Sequence, residues 1–460
     1  MGQQKALSFL SSMGRACLIV IGILVLLLSL PIYVSLSLGY TETKGPFKNA
    51  TQVVDWDGDG DLDVMISHTR WEGVDLSWAG IGMWINQGDG TFEFHRDPGD
   101  GTWPFIGFAA GAGDVDQDGD VDVFTQDFGI RLLVNQGGVQ RGERGKYLSV
   151  GGINLPPAYN DGYRDMGGTI TMGDLNGDGR VDAFIAGCCY GMDARKPGND
   201  SAYAPSVSWV WLNDGFQGDI QSGHILPLDF LDGRPIRQAA LGDVDGDGDL
   251  DVFAAIGKPT MGTLDPLDNL ILLNDGKGKF TVFDQSLGGT DSTSVALGDV
   301  NGDGRLDALV GTSTAARLWI NLSNEMGSGG PNFVPTQQLF EAKQTVGDKL
   351  QAGFSAAAGR LGLYLPYGSI RTKAVFLADL DGDGDLDALL ARLWGAEIWW
   401  NAGQGEFQRS DLHFEYREDT GVAVADFDGD GDQDIFTGRN EDDYQVWWNN
   451  GKGDFIGGSR

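Results

Sequence analysis

Disulfide chemistry is not available to hold this chain together. Its three cysteines (Cys17, Cys188 and Cys189) are too few for a crosslinked framework, and none stands in a Cys/His spacing suited to zinc. Cys188 and Cys189 are expected to be buried in the strand that follows the third acidic loop described below. Histidine is almost as scarce. His68, His95, His224 and His413 lie apart from one another and from any nucleophile motif, and no P-loop, G-x-S-x-G or H-E-x-x-H pattern occurs. A catalytic set is therefore not expected, and the histidines read as surface or packing residues.

Positive charge is the next shortage. Lys and Arg number 32 against 66 Asp and Glu, for a formal net charge of −34 and a sequence pI of about 4.2. Such a balance excludes a nucleic-acid binder that works by neutralising phosphates. Hydrophobic residues still make up 41% and aromatics 10% of the 460 residues, so the acidity belongs to a folded protein with a core. Glycine is the one residue in excess. Its 72 copies are roughly twice the usual share and lack a triplet period, which implies many tight turns.

Charge of either sign is absent from residues 17–38, an Ile-, Val- and Leu-rich run of 22 residues, about the length that crosses a bilayer core. Lys5 and Arg15 precede it and no Lys or Arg follows before Lys44, so the positive-inside bias keeps the N-terminus in the cytoplasm and exports the rest. Residues 1–40 are thus expected to be a short cytoplasmic N-terminus with a signal-anchor or transmembrane helix. The alternative is a cleaved signal peptide, for which Pro31 and the small residues around Ser37 and Gly39 leave room. Residues 41–460 then stand outside the cytoplasm, at a cell surface, in a periplasm or in a lumen, or are secreted if the segment is removed.

What the chain has in abundance is one repeated pattern, D-x-[DN]-x-D-G-x-x-D or its close variant, beginning at Asp55, Asp114, Asp174, Asp243, Asp299, Asp379 and Asp426. The spacings of 59, 60, 69, 56, 80 and 47 residues average near 62, and seven such units fill the sequence beyond the apolar segment. Each loop lies between two short apolar runs of strand length. Farther on, an apolar run closes on Asn86, Asn135, Asn213, Asn274, Asn321, Asn401 or Asn449. In four units that Asn opens N-x-G-x-G-x-F, a glycine hairpin turn leading to Phe92, Phe280, Phe407 or Phe455. Four strands per unit and seven units predict an all-β fold, a seven-bladed β-propeller whose blades bury their faces against one another. With Phe455 close to Arg460, the segment from Tyr40 to Val54 is expected to close the ring by pairing with the last blade.

The loops carry the chemistry. Side-chain oxygens at positions 1, 3, 5 and 9, with the backbone carbonyl of position 7, would surround a hard cation, and glycine at position 6 allows the sharp turn. Loop one supplies Asp55, Asp57, Asp59, Asp61 and Asp63, and loop two Asp114, Asp116, Asp118, Asp120 and Asp122. Loop three supplies Asp174, Asn176, Asp178, Arg180 and Asp182, and loop four Asp243, Asp245, Asp247, Asp249 and Asp251. Loop five supplies Asp299, Asn301, Asp303, Arg305 and Asp307, loop six Asp379, Asp381, Asp383, Asp385 and Asp387, and loop seven Asp426, Asp428, Asp430, Asp432 and Asp434. Asn176 and Asn301 retain a coordinating oxygen, and Arg180 and Arg305 are tolerable at position 7 only because the backbone would coordinate there. Their charge should weaken those two sites.

Calcium suits this oxygen-rich cage better than magnesium, which demands octahedral geometry and keeps its waters. Up to seven Ca2+ are expected, one per blade, and seven would move the formal charge from −34 to −20. A helix-flanked EF-hand is excluded because position 12 holds Ile66, Thr125, Ile185, Ala254, Val310, Leu390 or Thr437, none of them a bidentate ligand.

These units resemble the FG-GAP/VCBS repeats of bacterial and eukaryotic surface proteins, and the loops are similar to those of the N-terminal propeller of integrin α chains. The likeness covers about residues 45–460. It implies a calcium-bearing seven-bladed propeller with the metal positions named above. Integrin α chains carry such loops in only some blades and anchor at the C-terminus, so an integrin-like signalling role is not implied.

A membrane-tethered protein-binding or adhesion module is the expected function. Two alternatives stay open: a carbohydrate-binding protein or polysaccharide lyase on the same fold, and a structural subunit of an envelope complex. Insertions at residues 189–207 and 324–369 lengthen two units, and 324–369 is the leading docking region for a protein or glycan. Tryptophans two residues before the strand-ending Asn should be core, whereas Trp71, Trp78, Trp103 and Trp394 are the candidates for aromatic platforms. Asn49, Asn199 and Asn321 match the glycosylation pattern.

Overall fold

Seven times along the chain the acidic loop is the turn of an antiparallel hairpin, always in the same register. Its ninth residue opens the second strand and pairs with the residue just before the loop: Val54 with Asp63, Gly113 with Asp122, Gly173 with Asp182, Gly242 with Asp251, Gly298 with Asp307, Ala378 with Asp387 and Ala425 with Asp434. A one-residue slip would exchange the buried and exposed faces of the strand, so the apolar alternation and the loop length fix this register together. The computed structural model describes residues 51–68, 80–96, 109–126, 130–137, 147–152, 168–187, 191–192, 203–204, 207–231, 234–257, 267–289, 291–323, 330–341, 372–392, 395–415, 421–440 and 443–457. The chain divides into two units, Met1–Gly45 and Pro46–Arg460. Residues 1–40, with the apolar segment 17–38, lie outside the described residues. Among the described residues no helix is long and apolar enough to cross a membrane.

Each repeat is one four-stranded antiparallel sheet. Blade one, for example, runs through Thr51–Val54, Asp63–His68, Gly80–Asn86 and Phe92–Arg96 in spatial as in sequence order. Blade three departs from this plan by a two-stranded hairpin, Gly191–Met192 with Tyr203–Ala204, inserted between its second and third strands. That hairpin falls inside the 189–207 insertion. The 324–369 insertion is in part ordinary blade, since Phe333–Glu341 is the fourth strand of blade five. Residues 324–329 and 342–369 lie outside the described residues.

Adjacent first strands touch all the way round the seven blades, the first strand of blade seven (Gly421–Ala425) meeting that of blade one. Among the described residues the buried apolar side chains fall into seven clusters, one at each junction between neighbouring blades. A sheet of this kind has no core of its own and acquires one only when its neighbour covers it. Ring formation is therefore the folding event that buries the apolar surface.

Of the segment 40–54 expected to close the ring by pairing with the last blade, residues 40–50 lie outside the described residues. Thr51–Val54 pairs with the second strand of its own blade, and blade seven completes its sheet with Ile456–Gly457. Among the described residues the two ends of the ring meet through side-chain packing. Trp84 lies 4.8 Å from Tyr444 and 5.7 Å from Phe436, and Phe92 lies 5.0 Å from Phe436 and 5.7 Å from Phe427, measured between ring centroids. The Tyr444 hydroxyl also accepts a hydrogen bond from the Phe92 amide at 3.2 Å. Tilted and edge-on aromatic pairs of this kind add about 0.5–1.5 kcal/mol each beyond the area they bury.

Candidate metal centre

Position 1 of each loop folds the turn around its own carboxylate. Asp55 Oδ1 accepts the Gly58 amide at 2.8 Å and Oδ2 the Gly60 amide at 3.1 Å. The same pair recurs at Asp174, Asp243, Asp299, Asp379 and Asp426. In loop two, which has Gln117 at position 4, Asp114 takes the amides of Asp118 and Gly119 instead. Position 5 accepts the amide of position 7, as Asp59 does from Asp61 at 3.0 Å. Turned inward by these bonds, the side chains of positions 1, 3 and 9 converge. In loops one, two, four, six and seven, one oxygen from each lies within 4.8 Å of the other two.

Position 7 faces elsewhere. A Cβ on Gly88 or Gly276 would fall 2.5 Å from the carboxylate of Asp61 or Asp249, so the side chain of position 7 is packed over the glycine turn between the third and fourth strands. The spacing assigns its carbonyl, not this side chain, to a cation.

Position 9 is the electrostatic centre. Asp63, Asp122, Asp182, Asp251, Asp307, Asp387 and Asp434 are all buried. Each accepts a backbone amide on both oxygens: Asp63 takes Asn86 N and Trp56 N, both at 2.7 Å, and Asp122 takes a third amide, that of Asp116, at 3.3 Å. Those bonds favour the ionised form, yet burial outweighs them and pushes the carboxyls of Asp63, Asp122, Asp251, Asp387 and Asp434 up to about 7. Asp182 and Asp307 reach about 6, for the same first cause. Their loops have an amide at position 3, so one neighbouring like charge is missing. A desolvated carboxylate beside two others, with no cationic side chain against it among the described residues of the five triad loops, fits a hard divalent ion bound by oxygen alone.

Loops three and five hold a cation of their own. The guanidinium of Arg180 donates through Nε to the Asn213 carbonyl at 2.6 Å and pairs through Nη2 with Asp178 Oδ2. Arg305 does the same with the Asn321 carbonyl, at 2.9 Å, and Asp303. The paired carboxylate is that of position 5, which the sequence assigns to a cation.

The strand-ending asparagine has a role that the sequence reading missed. Asn135 donates its own amide to Asp122 Oδ1 at 2.9 Å, while its side-chain Nδ2 reaches the Trp56 carbonyl of blade one at 3.3 Å and the Val121 carbonyl of its own loop at 3.4 Å. In all seven blades Nδ2 meets the position-2 carbonyl of the preceding loop: Phe427, Trp56, Val115, Leu175, Val244, Val300 and Leu380 in turn. The only signal in the sequence was that Asn never varies among the repeats while the residues before it do.

That role also removes Asn321 from the glycosylation candidates. Its side chain is fully buried, donates to the Val244 carbonyl at 2.9 Å and accepts from Ser323 and Asn332. Asn49 and Asn199 lie outside the described residues, as do Trp71, Trp78, Trp103, Trp394, Cys188 and Cys189. Trp84, Trp211, Trp319 and Trp399 are buried as expected, with Trp447 half-buried. His95, His224 and His413 are exposed, and the side chain of His68 lies outside the described residues.

Comparison with known proteins follows from this geometry. A model of the FG-GAP-like repeat matches residues 55–125, 174–254, 243–310 and 379–437, more than half of the chain. No curated protein matches the sequence. Among solved structures, the chain is similar to a lectin of Agrocybe aegerita described by its recognition of non-reducing terminal N-acetylglucosamine, at 19% identity over 90% of each chain with a TM-score of 0.49. It is also similar to a protein from Lactobacillus plantarum, at 9% identity over 84% of this chain and 91% of that one, again with a TM-score of 0.49. Likenesses of this degree carry no argument about what the chain binds.

Proposed function

Because the chain belongs to the FG-GAP-like repeat family, we propose that it is a calcium-stabilised propeller, tethered to a membrane by residues 17–38, that binds a protein partner outside the cytoplasm. The observation that carries the calcium part is the set of Asp triads, which recur with the same hydrogen bonds in blades one, two, four, six and seven. All seven loops join a first strand to a second, and each is tied to the next through an asparagine, so they share one face of the ring. Five carboxylates in five loops and three in each of loops three and five place 31 of the 66 acidic residues on that face.

Calcium there neutralises charge that would otherwise repel itself. Extracellular calcium modules bind at about 10⁻⁴ to 10⁻³ M, and an ion at ten times its dissociation constant stabilises by about 1.4 kcal/mol per site. A binding role rather than catalysis is supported by the lack of a nucleophile motif and by the use of the aspartates as loop ligands. Within the candidate region 324–369, Val334 and Leu339 are 41% and 42% exposed on the fourth strand of blade five.

Affinity purification of the detergent-extracted full chain, with Ca2+ or with a chelator, followed by mass spectrometry tests the proposal. A discrete protein retained in Ca2+ and lost on chelation supports it. Recovery of no protein, with binding to a glycan array instead, overturns the protein-binding reading. The tether is tested separately: the full chain should sediment with membranes and a variant lacking residues 1–40 should not.

A further inference from the structure

We infer that the strand-ending asparagines couple the cation loops into a ring, so that an ion held in one loop strengthens binding in its neighbours. The inference rests on the calcium reading above and adds to it a dependence between sites. Between loops one and two the connection is continuous. Asp63, a member of the first triad, accepts the Trp56 amide at 2.7 Å. The Trp56 carbonyl accepts Asn135 Nδ2 at 3.3 Å, and the Asn135 amide donates at 2.9 Å to Asp122, a member of the second triad. Trp56 lies between the ligands Asp55 and Asp57, so fixing those two side chains on an ion fixes the carbonyl that Asn135 must reach.

Every group on this path is buried, with Trp56 at 2% exposure and Asn135 and Asp122 at 1% or less. Water cannot replace a lost partner there, and an unmet buried amide or carbonyl costs about 1–3 kcal/mol. A loop that relaxes on losing its ion therefore either breaks the bond to the next blade or drags that blade's position-9 carboxylate with it. Either way its neighbour binds less well, and linkage makes the effect reciprocal. A second contact runs in parallel: Tyr147 packs on Trp56 at 4.3 Å and donates its hydroxyl to the Val121 carbonyl of loop two at 2.7 Å. The same asparagine bridge recurs at every junction, including that from loop seven to blade one, so the path has no end.

Terbium, which occupies calcium sites and luminesces when excited through a nearby indole, reads loop one through Trp56. Because Trp56 also packs on Tyr147 beside loop two, the part that belongs to loop one is the signal lost both in Trp56→Phe and in Asp55→Ala. Disabling loop two with Asp114→Ala should raise the half-saturation of loop one by about fivefold, the lower end of typical site coupling. In an Asn135→Ser background the same change should shift loop one by less than about twofold. No shift in the unaltered background, or equal shifts in both, overturns the inference. If Asn135→Ser does not fold, Asp299→Ala in distant loop five serves as the comparison. The inference then requires a larger shift from the adjacent loop than from the distant one, and equal shifts overturn it. A chain with no Trp56-dependent terbium signal at all sinks the calcium reading itself, a distinct outcome from independent sites.

Discussion

Asn86 Nδ2 donates to the carbonyl of Phe427 at 2.7 Å across 341 residues of sequence, and this bond joins the first blade to the last. Both groups are buried, and among the described residues no strand is shared between blades one and seven. Asn86→Ala leaves the Phe427 carbonyl without this donor and should cost about 1–3 kcal/mol, read as a lower urea midpoint. An unchanged midpoint would mean that aromatic packing alone closes the ring.

The seam's aromatic cluster should matter more. Phe436 is fully buried and packs against Trp84 and Phe92 of blade one. Phe436→Ala removes that packing and should cost about 3–5 kcal/mol in the same measurement. A loss below about 1 kcal/mol would show that the site collapses to fill the gap.

Calcium stoichiometry should be graded rather than uniform. Five loops present Asp triads, whereas loops three and five present Asn176 or Asn301 with an arginine folded onto Asp178 or Asp303. Isothermal titration should resolve five tighter sites and two weaker ones. Arg305→Asp removes the competing guanidinium and should move one weak site into the tighter class.

Much of this was legible beforehand because it is local. The spacing of Asp63, Asp122 and their counterparts predicted where each second strand begins, since turn chemistry and strand alternation act over a few residues. The asparagine bridges were not legible: Asn135 reaches Trp56 79 residues away, and no local pattern names a partner in another blade. The aromatic seam between blades one and seven was hidden for the same reason, since it depends on which blades become neighbours. Asn321 shows the converse error, because Asn-x-Ser is a three-residue pattern that says nothing of burial.

Protons and calcium should compete for position 9. Burial holds Asp63, Asp122, Asp251, Asp387 and Asp434 at about 7 in the metal-free fold, above the ordinary 3.8 of the unfolded chain. Between about pH 4 and 7 the folded form therefore binds more protons, so these groups make the metal-free protein lose stability as pH rises through that window. Calcium binds the ionised carboxylates, so its stabilising effect should grow over the same interval. The gap between melting temperatures with Ca2+ and with chelator should be wider at pH 8 than at pH 5, and a gap independent of pH would remove position 9 from the ligands.

Scanning calorimetry of the full chain in millimolar Ca2+ and again in excess EGTA at pH 8 bears most directly on the role of the acidic loops. Binding at about 1.4 kcal/mol per site should make the chelated protein melt about 10 °C or more below the calcium-loaded one. Coincident melts would mean that the Asp clusters fold the chain without holding ions.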